Sequence, residues 1–129
     1  MYAGDQSGRR ALPLDRIDLA VEVFRMLADG TRIQLLWVLI DRELSVSELA
    51  AEVGKLPASV SQHLAKLRMS RLVHTRREGN QIYYRLENEH VARLVTDALD
   101  NADHASAGIP EHHRADTPLT PAPSRAEAP

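Results

Sequence analysis

Histidine and carboxylate side chains concentrate in the last third of this 129-residue chain. Four of its six histidines lie there with four carboxylates between them, in the order His90, Asp97, Asp100, Asp103, His104, Glu111, His112 and His113. Imidazole nitrogens and carboxylate oxygens are donors that bind divalent transition metals. Because the chain has no cysteine, thiolate chemistry and sulfur-ligated metal sites are excluded. The residue types indicate a metal site of nitrogen and oxygen donors, and the alternative is a set of solvent-facing polar residues.

The spacing of His90 and His104 predicts how such a site would be assembled. On one helix, a separation of fourteen residues returns to nearly the same face but corresponds to about 21 Å along the axis. One ion with bonds of about 2 Å cannot bind both side chains of a single chain. Two copies of the helix packed antiparallel across a two-fold axis would bring His90 beside His104 of the partner subunit. If the two histidines share an ion, the spacing predicts two symmetric sites between the subunits of a homodimer.

Two helices are predicted ahead of residue 45, and a third near the end of the chain. Asp15 can cap the first helix, and Asp29-Gly30-Thr31 interrupts it. The second helix has apolar residues on nearly every side, including Trp37, so we expect it to be central and almost fully buried. A last helix, which would carry His90 and His104, is expected from about Asn88 to Ala105.

The middle of the chain has the pattern of two helices joined by a tight turn. Ser45 and Glu48 have the S-x-x-E spacing of a capping box, which starts a helix. Gly54 can end that helix in a left-handed conformation, and Pro57 can start the next one. A helix-turn-helix needs a small contact residue, a turn glycine and a locking aliphatic side chain. These three are present as Ala50, Gly54 and Val60.

The helix that starts at Pro57 carries polar side chains near its N-terminal end. Hydroxyl, amide, imidazole and ammonium groups at such positions can meet base edges and phosphates of DNA. The candidate DNA-binding residues on this helix are Ser59, Ser61, Gln62, His63 and Lys66. For His63, the alternative is a structural histidine beside Leu64.

A β-hairpin is predicted after Leu72, where the apolar period changes to two residues, with its turn at Glu78-Gly79-Asn80. From Lys55 to Arg85 the chain carries seven basic residues and one acidic residue, although the whole protein has a net charge of −2. A basic hairpin beside a DNA-reading helix indicates a wing that contacts phosphate or the minor groove, and the alternative is a solvated hairpin. The candidate wing residues are Arg76, Arg77 and Gln81.

These elements predict a mainly α winged helix-turn-helix fold with about five helices, in a dimer. Residues 1–13 are expected to be a flexible arm, residues 14–105 the DNA-binding and dimerisation domain, and residues 106–129 a flexible Pro/Ala-rich tail with candidate ligands. No apolar segment is long enough to cross a bilayer, so we expect a cytoplasmic protein without a membrane partner. The sequence has no H-E-x-x-H motif, and an enzyme is not expected.

Three stretches of the chain resemble the ArsR/SmtB family of transcriptional repressors. They are Phe24-Arg25-Met26-Leu27-Ala28-Asp29-Gly30-Thr31-Arg32, Ser61-Gln62-His63-Leu64-Ala65-Lys66-Leu67 and Gly79-Asn80-Gln81-Ile82-Tyr83-Tyr84-Arg85-Leu86. The resemblance implies a homodimer that occupies double-stranded operator DNA until an inducer, commonly a metal ion, binds. Ligands on interface helices would then let metal binding alter the angle between the two DNA-reading units.

The metal sites familiar in that family are altered in this chain. Ser45 and Ser47 stand where its thiolate site needs cysteines, and Asn88 and Asn101 stand where its zinc site on the last helix has Asp and His. The segments around residues 87–90, 101–104 and 108–113 instead resemble the nickel- and cobalt-sensing KmtR type. That resemblance implies the ligands His90, Asp103, His104, His112 and His113.

The inducer implied by this ligand set is Ni(II) or Co(II). More than four nitrogen and oxygen donors suit octahedral nickel or cobalt better than a closed four-coordinate zinc site. Zn(II) is the less favoured metal. Because both familiar site patterns are altered, a winged-helix repressor that responds to zinc or to a non-metal ligand stays open as the alternative.

Overall fold

The computed structural model describes residues 10–107, so the predictions for most of the arm, for the tail and for His112 and His113 lie outside the described residues. The described chain contains five helices and three strands. In chain order they are α1 (Leu14–Leu27), α2 (Gly30–Val38), β1 (Leu44–Ser45), α3 (Val46–Val53), α4 (Pro57–Met69), β2 (Val73–Glu78), β3 (Gln81–Leu86) and α5 (Glu89–Ala107). The predicted winged helix-turn-helix fold is confirmed. One compact unit ends at Ala92 and a second starts at Arg93, within α5.

The helix boundaries follow from local side-chain chemistry. Ser45 Oγ accepts the backbone N–H of Glu48, and the Glu48 carboxylate accepts the backbone N–H of Ser45, which confirms the capping box. Gly54 ends α3 with a φ of +67°, a left-handed conformation that costs glycine little. Pro57 then occupies the first turn of α4, where its missing N–H removes no helical hydrogen bond. The turn that aims α4 is therefore set by these few residues.

The core of the first unit is aliphatic. Its fully buried side chains come from α2 and its C-terminal cap, from α3 and α4, and from the start of β2, and they are Leu35, Leu36, Leu39, Leu49, Val60, Leu64, Leu67 and Val73. The expectation that α2 is buried nearly all round is wrong, because Trp37 is 51% exposed. Each helical residue turns about 100° from the one before it, so a face centred on Leu35, Leu36 and Leu39 directs Trp37 outward. In α1 no residue is buried in the single chain.

The predicted hairpin is one part of an antiparallel three-stranded sheet with strand order β1, β3, β2. Glu78 pairs with Gln81 across a two-residue turn, and Gly79 adopts a φ of +64° at its first position. On the other side of β3, Leu44 pairs with Tyr84 and Ser45 with Tyr83. Two residues are too few to show an alternating pattern, so β1 was not predicted. Its pairing joins the wing to the start of α3.

No helix within residues 10–107 combines the length and apolar character needed to cross a membrane.

Candidate nucleic-acid interface

Helix α4 has an apolar face on one side and a polar face on the other. Val60, Leu64 and Leu67 are fully buried on one side. The polar residues Ser61, Gln62 and Lys66 are exposed, whereas Ser59 is half-buried. Leu56, at the N-terminal cap of α4, makes no side-chain capping bond. Because an uncapped helix start presents N–H groups and a positive dipole end, this end of α4 suits a phosphate oxygen.

His63 lies at the border between these two faces. Its side chain is 22% exposed, and its Nδ1 lies 3.3 Å from Nη1 of Arg32. The same nitrogen lies 3.9 Å from Oδ1 of Asp29. One edge of the His63 ring therefore contacts residues at the turn between α1 and α2, whereas Gln62 is exposed.

Arg32 is a buried charge that the sequence analysis missed. It is only 8% exposed, and its Nε donates to the carbonyl of Met26 at the end of α1, at 2.7 Å. The backbone N–H of Arg32 donates to Oδ1 of Asp29 at 2.9 Å, which caps α2. This hydrogen bond, together with the Arg32 charge, holds the pKa of Asp29 below its usual value. The signal in the sequence was the position of Arg32, which falls on the same helical face as Leu35 and Leu36.

The three predicted wing residues lie on two faces of the hairpin. Side chains alternate along a strand, so Arg76 shares a face with Tyr83 and Gln81. Arg77 shares the opposite face with Ile82. Arg77 and Gln81 are exposed, and the Arg77 side chain forms no ion pair with any residue in the described range. Of the two predicted wing arginines, Arg77 is thus the one whose side chain is available to a phosphate.

Arg76 is held by its own protein. Its Nη2 lies 2.8 Å from Glu43 Oε1, its Nη1 lies 2.7 Å from Glu78 Oε1, and its guanidinium lies 5.0 Å from the centre of the Tyr83 ring. The hydrogen bond from Arg76 holds the pKa of Glu43 below its usual value. In turn the hydrogen bonds to Glu43 and Glu78 raise the pKa of Arg76. Because Glu43 immediately precedes β1, Arg76 ties the wing to the body of the domain.

Replacing Glu43 with glutamine is expected to loosen the wing and remove part of its pH dependence. A carboxyl whose pKa is lowered on folding stabilises the fold above its unfolded pKa, and that stabilisation is lost as the pH falls through the folded pKa. The protection factors of the β2 and β3 amides, which correct for the intrinsic pH dependence of hydrogen exchange, should therefore fall at acidic pH in the wild type. In E43Q these protection factors should be several-fold lower at neutral pH and should change less on acidification.

The matched control for this substitution is E52Q, which removes an exposed ion pair with Arg42, at 3.2 Å, outside the wing. Its wing amides should exchange as in the wild type. Equal exchange in E43Q and the wild type at neutral pH would show that Glu43 does not anchor the wing.

The candidate metal ligands within the described residues all lie on α5. Asn88 caps this helix, since its Oδ1 accepts the backbone N–H of His90 at 2.9 Å and that of Val91 at 3.3 Å. His90 is exposed in the first turn of α5, and Asp103 and His104 are exposed near its end. Among residues 10–107 of one chain, no group of three or more His, Asp or Glu side chains is arranged to hold a metal ion. The donor types of His90, Asp103 and His104 fit a divalent transition metal.

Comparison with known proteins identifies the family. Residues 29–75 match the family model for bacterial regulatory proteins of the arsR family. Over 115 residues the chain is 67% identical to the HTH-type transcriptional regulator KmtR of Mycobacterium tuberculosis, a match that covers 89% of this chain and 87% of that protein. The chain belongs to the ArsR family. The relatives in this family are DNA-binding transcriptional regulators, which confirms the prediction that the protein is not an enzyme.

Further members of the ArsR family support the same assignment. The chain is 33% identical over 107 residues to the HTH-type transcriptional regulator NmtR of M. tuberculosis, which covers 81% of this chain and 89% of NmtR. Its structure is similar to the homodimeric winged helix-turn-helix DNA-binding domain Mb0332 of Mycobacterium bovis, with a TM-score of 0.65 and 34% identity. That likeness covers 74% of this chain and 89% of the M. bovis domain. The ArsR-family protein is therefore a transcriptional regulator with the fold of its relatives.

Proposed function

We propose that this protein is a homodimeric repressor that is released from its operator when Ni(II) or Co(II) binds between its subunits. Residues 14–105 form the DNA-binding and dimerisation domain, and residues 106–129 contribute His112 and His113 to the metal sites. The observation that carries the DNA-binding role is the exposed polar face of α4 opposite its buried Val60, Leu64 and Leu67.

DNA is read by α4 and held by the wing. Ser61 and Gln62 offer hydroxyl and amide groups to base edges, and Lys66 offers a charge to the backbone. Arg77 contacts phosphate from the outer face of the hairpin, and Gln81 contacts the DNA from the other face. Ser59 and His63 border this surface and reach the DNA with the part of the side chain that stays accessible. Arg76 acts mainly by holding the wing in position, because its guanidinium forms ion pairs with Glu43 and Glu78.

Dimerisation is supported by the apolar surface of α1. Ile17, Val21 and Phe24 recur at helical spacing, and all three are exposed in the single chain. Exposed apolar side chains at such spacing are commonly covered by a partner helix. The M. bovis relative is described as homodimeric. Within one chain, His90 and His104 are separated by about 21 Å along the helix axis and cannot bind the same ion. A shared site therefore needs a second subunit.

The metal sites would use His90, Asp103, His104, His112 and His113, drawn from both subunits. When bound, a divalent ion would supply a Lewis-acid centre that holds imidazole and carboxylate donors of two chains together. His90 is fixed at the start of α5 by the cap that Asn88 provides. Metal binding between the subunits would change how the two α5 helices pair, and we expect that change to alter the angle between the two DNA-reading units.

A pair of substitutions tests the DNA-binding roles. Q62A is expected to weaken binding to the operator by about 1–3 kcal/mol, or roughly 5- to 150-fold, and to leave binding to unrelated duplexes unchanged. R77A is expected to weaken all duplexes alike and to reduce the slope of log affinity against log salt by about 1. Fluorescence anisotropy measures both, with a duplex that the wild-type protein selects from a random pool.

R42A is the matched control, because it removes an exposed arginine that pairs with Glu52 of α3 and is not among the proposed DNA-binding residues. The reverse pattern, in which R77A changes sequence preference and Q62A does not, would overturn the assignment of helix and wing.

Equilibrium dialysis with nickel, cobalt and zinc decides which metal, if any, is the inducer. Micromolar or tighter zinc binding alone, or no metal binding, would favour the zinc or non-metal alternative.

A further inference from the structure

A buried arginine connects the helices α1, α2 and α4. Arg32 contacts the end of α1 through the Met26 carbonyl, the start of α2 through Asp29, and α4 through His63. Only the last of these contacts reaches a residue on the border of the polar face of α4. The chemistry of the Arg32 and His63 pair therefore bears on what α4 presents to DNA.

A hydrogen bond between Arg32 and His63 would determine which ring nitrogen of His63 carries the proton. A guanidinium has only N–H donors and no acceptor, and it stays charged in proteins. Its Nη1 lies 3.3 Å from His63 Nδ1, so a hydrogen bond there requires Nδ1 to accept. A neutral imidazole whose Nδ1 accepts carries its proton on Nε2. His63 would then present an N–H donor from the opposite edge of its ring.

Asp29 offers the competing arrangement, in which His63 Nδ1 would carry a proton and donate to the carboxylate. The distance from Nδ1 to Asp29 Oδ1 is 3.9 Å, which is too long for a hydrogen bond. Oδ1 already accepts the backbone N–H of Arg32 at 2.9 Å. The distances therefore favour the tautomer in which Nδ1 accepts from Arg32.

We infer that Arg32 is a positioning residue that fixes His63 as an Nε2–H donor on α4, a role that rests on the proposed DNA-binding function. His63 then selects a hydrogen-bond acceptor on the DNA, either a phosphate oxygen or the N7 or O6 of a purine edge. A donor group at the same place, such as an exocyclic amine, is rejected. Arg32 thereby determines which kind of DNA group His63 can contact, although Arg32 itself is buried.

The tautomer is measured directly in the free full-length protein. Long-range proton–nitrogen correlation spectra at about pH 8, where histidine side chains are generally uncharged, should show His63 with Nδ1 unprotonated and Nε2 protonated. In R32M, which keeps the aliphatic stem and removes the donors, the two nitrogen shifts should move toward each other as the tautomers mix. Protonation of Nδ1 in the wild type would overturn the inference without any variant.

Two controls separate this effect from general disturbance of the fold. R25M removes an exposed arginine of α1 that pairs with Glu22, and His63 should keep its wild-type tautomer in it. His74 lies in β2 of the wing, and its Nδ1 lies 3.5 Å from Glu87 Oε1. The nitrogen shifts of His74 should be unchanged in R32M. Unchanged His63 shifts in folded R32M would overturn the inference.

Substitutions of His63 test the donor on DNA. The amide of glutamine can place a donor near the Nε2 position, whereas asparagine is too short. H63N should weaken operator binding about 2- to 10-fold, the effect of one hydrogen bond, and H63Q should recover part of it. A loss on the operator alone identifies a base acceptor, and an equal loss on unrelated DNA identifies a phosphate. Wild-type affinity in H63N would overturn the inference.

The proposed function and the inference about Arg32 can fail separately. If the protein selects no duplex from a random pool, the proposed function is wrong, and the tautomer of free His63 still reports on Arg32. If Q62A and R77A behave as expected but His63 is protonated at Nδ1, only the role of Arg32 is wrong.

Discussion

Replacing Leu64 with alanine is expected to lower the free energy of unfolding by about 2–5 kcal/mol. Leu64 is fully buried, and it belongs to the helix that carries the proposed DNA-reading residues. Truncation removes buried methyl groups and leaves a cavity that the surrounding leucines fill only in part. Urea denaturation at a fixed protein concentration measures the change, because the stability of a dimer depends on that concentration.

Met69 provides a matched control on the same helix. It is 85% exposed, so M69A should change the free energy of unfolding by less than about 0.5 kcal/mol. The contrast tests the orientation of α4, since the polar face of the helix is defined by the burial of the opposite one. Equal effects of L64A and M69A would show that α4 does not lie against the core as described.

The second large effect is expected from H104A, which should abolish the response to nickel. The coupling free energy between two binding sites is typically about 1–3 kcal/mol, so nickel should weaken operator binding by roughly 5- to 150-fold in the wild type. His104 is exposed near the end of α5, where alanine is compatible with the helix. H104A should therefore stay folded and bind the operator as the metal-free wild type does, with nickel affinity reduced.

H74A is the control for the loss of an imidazole as such. His74 lies in β2 beside Glu87 and outside the proposed ligand set, so H74A should keep the nickel affinity of the wild type. Equilibrium dialysis of both variants measures that affinity. Equal nickel affinity in H104A and the wild type would remove His104 from the site.

The local features of the fold could be predicted from the sequence because they depend on neighbouring residues. The capping box of Ser45 and Glu48, the left-handed Gly54 and the start of α4 at Pro57 each follow from side chains within a few positions. The two-residue turn at Gly79 follows in the same way. These features are sufficient to place the two helices of the DNA-reading unit.

Contacts between distant residues could not be predicted in this way. Arg76 pairs with Glu43, 33 residues away in the chain, a partner that the local pattern did not indicate, and its predicted contact with DNA stays a prediction. His63 meets Arg32 across 31 residues, and the exposure of Trp37 depends on which face of α2 the core uses. Periodicity gives the spacing of apolar residues, but it does not give the partner of a charged side chain. For the metal ligands, the intersubunit arrangement inferred from the spacing of His90 and His104 stays a prediction.

The most direct test of a metal-released repressor is one anisotropy titration. The full-length protein is titrated onto its selected operator duplex with and without a stoichiometric excess of nickel, for the wild type and H104A in parallel. The proposed function predicts that nickel weakens the wild-type complex by roughly 5- to 150-fold and leaves the H104A complex unchanged. An operator affinity of the wild type that is the same with nickel, cobalt and no metal would contradict it.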